Sequence, residues 1–335
     1  MLLVEFNNTF VKNARIGFDN GFNDMLAEWK SIYTKIFAVG DTNELVEKFN
    51  SSESMDLPEV VTESWALKQD KLFKGYVTVF QGNGYGHRTM LSKEARLWMW
   101  DNTGNLATFV ARERDKALKA FDQKINMVAH DFLNYAFTGW PTGVEYLAPD
   151  LQPLISASHV WNSTGKTFSN LLSAAALDVT AVQTLEKIAG SFTDASNNVL
   201  PLIPDTCIVK KWSTASYQAK QLFGINMGQY SPTTLGNVNI FQGAGYTLVD
   251  TPFLNNVVNG AWVNKSDTAY FFVDSRYMGN SEYWNPLFMN FLQRPRIEGE
   301  AFEDPSNLDR VYKYYGHWKT GIRNIPFARW GSLGS

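Results

Sequence analysis

The chain has 335 residues, with 30 Lys and Arg against 33 Asp and Glu, so its formal net charge is -3. A hydrophobic content of 44% supports a buried core and excludes wholesale disorder, and the length allows two domains or one domain with extensions. The balanced charge argues against a dedicated nucleic-acid binder, and the one Cys excludes an internal disulfide framework. Charged residues make up only 19% and aromatic residues 14%, a composition expected where neighbouring molecules cover much of the surface.

The sequence carries no sign of export or of a membrane span. Met1 to Asn8 lacks the basic start and the apolar run of a signal peptide. No apolar stretch approaches the ~20 residues that cross a bilayer. We therefore expect a chain that is made and folded in a cytoplasm, with no membrane partner.

Residues 1–55 are predicted to form an N-terminal arm that carries one helix. Asp19 can cap this helix, and Gly40 fits just beyond its end. Apolar side chains recur at helical spacing between them. These side chains are Phe22, Met25, Leu26, Trp29, Ile32, Tyr33 and Ile36.

Residues 56–100 are predicted to contain a projecting hairpin. Lys74–Phe80 and His87–Leu91 have the composition of strands, and Gln81–Gly86 is predicted to be the turn between them. The glycine spacing in this turn is not the dinucleotide fingerprint, so a hairpin is favoured over a nucleotide-binding loop. The strands show no alternation that would bury one face on their own chain. We expect the hairpin to lie on another molecule, and a hairpin packed on its own domain is the alternative.

Residues 101–145 contain the strongest helical pattern, which predicts one helix from about 104 to 138. Leu118, Phe121, Ile125, Val128, Phe132 and Tyr135 form an apolar stripe, while the polar face carries Asp115, Lys116, Lys119, Asp122, Gln123 and Asn126. A helix of about 35 residues would be ~50 Å long. The apolar repeat lasts for only about three heptads, so packing on the chain's own sheet is favoured over a coiled coil.

Residues 146–265 are predicted to be mixed α/β, and strands dominate residues 266–335. Asp178 and Ser213 are placed to cap two helices, which end at about Ala189 and Phe223. The predicted strands are Thr206–Lys210, Val238–Phe241, Tyr246–Val249, Ala269–Val273, Glu298–Phe302, Arg310–Trp318 and Ile322–Trp330.

No catalytic, cofactor or metal site is predicted. None of the four His residues (His87, His130, His159 and His317) has a second His or Cys at metal-ligand spacing, and His130 is expected to be solvated or at an interface. Cys207 lies in an apolar run and is expected to be a buried hydrophobic side chain. Asp274, after a buried strand, is the best single candidate for a catalytic acid, but one carboxylate without a partner does not make an active site.

Several segments, and the order of the predicted parts, resemble one known family. The segments are Asn134–Gly139, Ile155–His159 with Ser169–Leu171, Asn198–Pro204 before the strand Thr206–Lys210, and Tyr315–His317 through Phe327–Trp330. An arm, a hairpin, one very long helix, an α/β domain and returning strands follow one another. This order resembles the major capsid protein of tailed bacteriophages, whose Hong Kong 97-like fold is shared by bacterial encapsulins.

The resemblance implies an α+β protein with the Hong Kong 97-like capsid fold. It divides the chain into an N-arm (1–55), an extended hairpin loop (56–100), the long spine helix of a peripheral domain (101–145) and a mixed α/β axial domain (146–265). Residues 266–335 would be C-terminal strands that return to the peripheral and axial domains.

The resemblance also implies a structural protein rather than an enzyme. Its copies would assemble as hexamers and pentamers into the icosahedral head that encloses phage double-stranded DNA, in the virion capsid and in the host cytoplasm during assembly. The implied partners are other copies, a scaffolding protein, a portal protein, a decoration protein if one is used, and packaged DNA bound without sequence specificity. No cofactor is implied.

Contacts between copies are expected from apolar side chains of the hairpin and of the arm. The candidates are Phe73, Tyr76, Val77, Val79 and Phe80 on the hairpin, and Phe22 and Trp29 on the arm. Two alternatives stay open. One is an encapsulin-type compartment shell with the same fold, and the other is a cytoplasmic enzyme that uses Asp274 or His159.

Overall fold

The computed structural model describes residues 32–53, 74–92, 105–138, 146–224, 245–254, 257–258, 261–262, 267–280, 285–297, 302–303 and 310–334. The helices are α1 (Ile32–Ile36), α2 (Asn105–Asn134), α3 (Val179–Gly190) and α4 (Thr214–Phe223). Among these described helices, none combines the length and the apolar character needed to cross a membrane.

The strands belong to two larger sheets and three short pairs. They are β1 (Ala38–Asp41), β2 (Val46–Ser52), β3 (Lys74–Gln81), β4 (Asn83–Leu91), β5 (His159–Val160), β6 (Thr167–Phe168), β7 (Thr206–Lys210), β8 (Thr247–Thr251), β9 (Val257–Val258), β10 (Ala261–Trp262), β11 (Tyr270–Val273), β12 (Leu287–Ile297), β13 (Phe302–Glu303), β14 (Arg310–Ile322) and β15 (Arg329–Ser332). The first sheet has the order β1-β12-β14-β13, with β4 also paired to β14, and the second has the order β15-β11-β7-β8.

The long helix α2 is confirmed, and it packs on the first sheet as predicted. It has 30 residues, which is a length of about 45 Å. Its apolar stripe enters one core together with side chains of β12 and β14, such as Met289 and Trp318. The predicted polar face is wrong at Asp122 and Asn126, which are buried. Their burial is possible because the Asn126 amide donates to the Asp122 carboxylate over 3.1 Å.

The second sheet is buried on both faces. Ile208 of β7 and Phe271 of β11 join the core under α2. Their neighbours Cys207 and Phe272 point the other way, into a second core that α3 and α4 cover. The predicted caps are confirmed, because the side chain of Asp178 accepts from a main-chain N–H at the start of α3 and that of Ser213 does so at the start of α4. Cys207 is buried as predicted, and burial raises the pKa of its thiol.

The turn predicted at Gln81–Gly86 is wrong. β3 ends at Gln81 and β4 begins at Asn83, but β3 pairs with β2 and β4 pairs with β14. The chain therefore passes from one sheet to another at Gly82. A Cβ atom at Gly82 would lie 2.6 Å from Nε2 of His317, so a side chain at this crossing would force the His317 ring to move.

The end of the predicted arm helix also differs. Of that helix, only α1 lies within the described residues, and it ends at Ile36. Gly40 lies inside β1, which pairs in parallel with β12, and so it is not a helix-terminating residue. The strand predicted over 238–241 and residues 298–301 of the strand predicted over 298–302 lie outside the described residues. The strand predicted over 322–330 begins only at Arg329, because β14 extends to Ile322.

His130 is fully buried rather than solvated. Its Nδ1 lies 2.6 Å from the carbonyl oxygen of Asn126, and its Nε2 lies 2.9 Å from Oγ1 of Thr251. A carbonyl oxygen only accepts, so Nδ1 carries the proton and Nε2 accepts from the Thr251 hydroxyl. Burial lowers the pKa of His130 to about 4. The neutral ring thus joins α2 to the edge strand β8.

This burial predicts an acid-sensitive stability. The ordinary pKa is 6.5 and the folded one about 4, so the unfolded chain binds the extra proton between these values. The contribution of the neutral ring to the free energy of unfolding is fully present above the ordinary pKa. It is lost as the pH is lowered, by about 2 kcal/mol between pH 7.5 and pH 5. Urea unfolding at several pH values measures this loss. In His130→Gln the loss of unfolding free energy between these pH values should be smaller by that amount. The same pH dependence of unfolding free energy in both proteins would contradict the buried, neutral state of His130.

Candidate assembly surface

Strands β2 and β3 form a two-stranded antiparallel ribbon. In its register Val46 faces Gln81, and Asn50 faces Val77. The partner of β3 is therefore a strand from the segment assigned to the arm, and residues 54–73, which join the two strands, lie outside the described residues. Directly opposed residues of antiparallel strands point to the same side, so the ribbon has two distinct faces.

The inner face of the ribbon packs on the first sheet through three aromatic rings. The Phe80 ring lies 4.8 Å from that of Phe288 and 5.8 Å from that of Phe49, centroid to centroid. The guanidinium of Arg323 covers the Phe49 ring at 5.8 Å, and burial lowers the pKa of Arg323. A Cβ atom at Gly321 would overlap the Phe80 ring, so a glycine is required beneath it.

A buried charge lies beside this aromatic cluster. The carboxylate of Glu47 accepts a 2.9 Å hydrogen bond from the Asn290 amide and lies 3.9 Å from the ammonium of Lys319. That ammonium also donates to the carbonyl oxygen of Glu44. Buried charges are tolerated only when they are paired and hydrogen-bonded, so these contacts fix the position of the ribbon base.

The far end of the ribbon is attached to the loop between β5 and β6. Glu53 accepts two 2.8 Å hydrogen bonds, from the main-chain N–H groups of Asn162 and Ser163, and a 2.6 Å bond from the Ser163 hydroxyl. The hydroxyl of Tyr76 donates to the carbonyl oxygen of Val160 over 3.1 Å. Hydrogen bonds to a carboxylate are among the strong ones, so the ribbon is held at both ends.

The outer face of the ribbon is exposed and partly apolar. It consists of Val46, Lys48 and Asn50 on β2, and Val77, Val79 and Gln81 on β3. Val79 is 62% exposed, Val46 49% and Val77 43%, and the adjacent Leu45 is 53% exposed. Grouped apolar side chains on a surface mark a site of protein interaction more often than scattered ones do. A rigid strand pair therefore presents a strip of valines to solvent.

The structure separates the predicted contact residues. Val77 and Val79 lie on the outer face, whereas Tyr76 and Phe80 contact their own chain. Phe73, Phe22 and Trp29 lie outside the described residues. The sequence interpretation missed Val46, which joins the outer face. No hydrophobic alternation in β2 signals its orientation, because polar Glu47 and Ser51 occupy the inner side.

Asp274 and His159, the candidates for an enzyme, are both fully buried. Asp274 accepts from the main-chain N–H of Ile203 over 2.8 Å and from Nε of Arg276 over 2.9 Å. Nδ1 of His159 lies 2.8 Å from the Asp150 carboxylate. Each therefore serves local structure and is not open to a substrate. Within the described ranges, no three His, Cys, Asp or Glu side chains gather as a metal site.

The fold is similar to solved capsid structures. The capsid structure of the cyanophage P-SCSP1u matches with a TM-score of 0.53 and 11% identity, over 91% of this chain and 88% of that chain. The Hong Kong 97-like capsid fold is the fold of this chain. Two further structures are similar to this chain. The capsid of an empty GTA particle has a TM-score of 0.49 and 11% identity, over 89% of this chain and 87% of that chain. The structure of mycobacterium phage Bobi has a TM-score of 0.49 and 13% identity, over 91% of this chain and 90% of that chain. Protein-family models and curated proteins give no match to the sequence.

Two contacts with the rest of the chain stabilise the ribbon outside the larger sheets. An isolated strand pair is only marginally stable in water. Here Phe80 packs the inner face on the sheet of β12 and β14, and Glu53 attaches the far end to the β5–β6 loop by hydrogen bonds. The outer face remains free to pack on a further surface.

Removing the inner aromatic contact should loosen the ribbon. Phe80→Ala is expected to cost about 2 kcal/mol, below the value for a fully buried Phe because the ring is half-buried. Hydrogen exchange of the β2 and β3 amides should speed up with it. Val79→Ala, a change in the neighbouring outward residue of the same strand, is the matched control and should change neither quantity. An equal effect of the two substitutions would contradict the assignment of faces.

Proposed function

We propose that the chain is a structural major capsid protein. Its copies assemble as hexamers and pentamers into an icosahedral head that encloses phage double-stranded DNA. One observation carries the proposal, namely the likeness of the fold to a cyanophage capsid structure over about nine-tenths of both chains. The low charge content and the high aromatic content agree with a subunit that is covered by neighbours.

The parts of the fold then take the following roles in this proposal. α2 is the spine helix, and it lies with β12 and β14 in a peripheral domain. The second sheet with α3 and α4 is the axial domain. The extended loop runs from β2 to β3, about residues 46–81, rather than over 56–100, because β4 belongs to the first sheet. The N-arm is the segment that precedes β2.

The outer face of the ribbon is proposed to pack on a neighbouring copy. Burying two half-exposed valines gains about 2 kcal/mol per contact. A gain of this size is weak for a pair of molecules, but a closed symmetric shell repeats it at every subunit. The contact can therefore be modest and still hold a shell together.

The remaining partners follow from this role. They are a scaffolding protein, a portal protein, a decoration protein if one is used, and packaged DNA bound without sequence specificity. A net charge of -3 supports weak contact with DNA, because tight binding of phosphates needs an excess of Lys and Arg. The proposed location is the virion capsid, after assembly in the host cytoplasm.

Polar substitution of the outer face tests the proposal. The double variant Val77→Ser and Val79→Ser should fold normally, since both side chains are exposed, and should lose shell assembly. The assay is electron microscopy with light-scattering mass, on the chain expressed alone and with its neighbouring genes. Leu171→Ser is the matched control because Leu171 is similarly exposed, at 40%, and lies off the ribbon.

Closed shells, or hexamers and pentamers, from the wild-type chain and the control would support the proposal. A monodisperse monomer or dimer of the wild type under both conditions would overturn it. Shells from the double variant as abundant as those of the wild type would remove the outer face from the assembly surface.

A further inference from the structure

A surface pocket lies at the start of β7, outside the ribbon. Its volume is about 240 Å³, and its lining residues are Glu186, Leu202, Ile203, Pro204, Asp205 and Tyr246. Ile203 is 57% exposed although it is apolar. The lining thus combines apolar side chains with two carboxylates. A cavity of about 150 Å³ is already large enough for benzene, so this pocket has room for one aromatic side chain.

The pocket carries negative charge. Glu186 accepts a 2.7 Å hydrogen bond from the hydroxyl of Tyr246. Asp205 accepts from the main-chain N–H and the hydroxyl of Ser275, over 2.8 and 2.5 Å. These donors are neutral, so these hydrogen bonds bring no cation to either carboxylate. The neighbouring cation, Arg276, is already paired with Asp274.

Trp212 stands at the opposite end of the same strand. It is 70% exposed, and its φ of 62° is in the left-handed region that favours glycine. The turn that holds it outward is closed by the hydroxyl of Ser213, which donates to the Lys210 carbonyl over 2.7 Å. The fold gains little from an exposed indole on a left-handed residue. This cost indicates that the indole is used outside its own chain.

A positive charge accompanies the indole. The ammonium of Lys211 lies 4.6 Å from the centre of the Trp212 ring. Lys210 and Lys220, the other lysines at this end, form ion pairs with Asp267 and Asp250. Within the described residues Lys211 has no acidic partner. The end of β7 therefore presents an aromatic ring beside an uncompensated cation.

We infer that Trp212 and Lys211 of one copy dock into the Glu186–Asp205 pocket of a second copy of this chain. The occupant is a second copy because the same chain supplies both complements, a cationic aromatic knob and an acidic apolar pocket. They lie about 20 Å apart at the two ends of β7. A head-to-tail contact forms a ring when the rotation between successive copies closes, and hexamers and pentamers are rings of this kind. The inference rests on the proposed capsid function.

Removal of the indole is the first test. Trp212→Gly relieves the left-handed strain, so its melting temperature should equal or exceed that of the wild type, while the rings dissociate. Leu151→Gly is the matched control, because Leu151 is 65% exposed and also has a φ of 62°. Sedimentation and light scattering of purified wild type and variants measure the rings. The control should keep them.

Charge exchange is the second test. Lys211→Glu and Glu186→Lys should each weaken ring formation about tenfold, and the double exchange should restore it. Three outcomes would each overturn this inference and leave the capsid proposal standing, provided that the wild type forms rings. They are rings of Trp212→Gly as abundant as those of the wild type, an equal loss of rings in the Leu151→Gly control, and no rescue of ring formation by the double exchange. A wild-type chain that never assembles would overturn both.

Discussion

The architecture depends on a central sheet whose two faces are both buried. Successive residues of β7 point to opposite cores, with Ile208 under α2 and Cys207 and Val209 under the two shorter helices. β11 divides its aromatic residues in the same way. A slip of one residue in the pairing would exchange the faces of a whole strand, so the two cores together specify the register. This constraint ties the long helix, the first sheet and the helical layer into one body.

A buried cation links the second sheet to the first. The guanidinium of Arg329, in β15, donates to the side-chain oxygen of Asn285 just before β12, over 2.8 Å, and more distantly to the carbonyl oxygen of Ile36 at the end of α1. Burial lowers the pKa of Arg329 to about 9. A charge in this position is stable only while its oxygen partners stay in place, so it enforces one relative placement of these elements.

The surfaces that remain apolar lie where the cores end. The ribbon is held at its base by Phe80 and at its far end by Glu53, and it shows Val77 and Val79 to solvent. Ile203, before the start of β7, and Trp212, after its end, are both exposed to solvent. The ribbon is held at both ends, and Ile203 and Trp212 flank a buried strand, so little entropy is lost when a neighbour binds. The two contacts that we propose between copies therefore differ in kind, one along a strand pair and one between strand ends.

Local signals in the sequence determined the long helix, the caps at Asp178 and Ser213 and the strand Thr206–Lys210, while the capsid fold came from the resemblance of their order to a known family. Periodicity and capping act over a few residues, so these features can be predicted without the rest of the chain. Only the tertiary structure decided which strand pairs with β3, which side of it faces solvent, and that His130 is buried. These outcomes depend on partners that are distant in sequence, such as β14 and Thr251, whose proximity is created by folding itself.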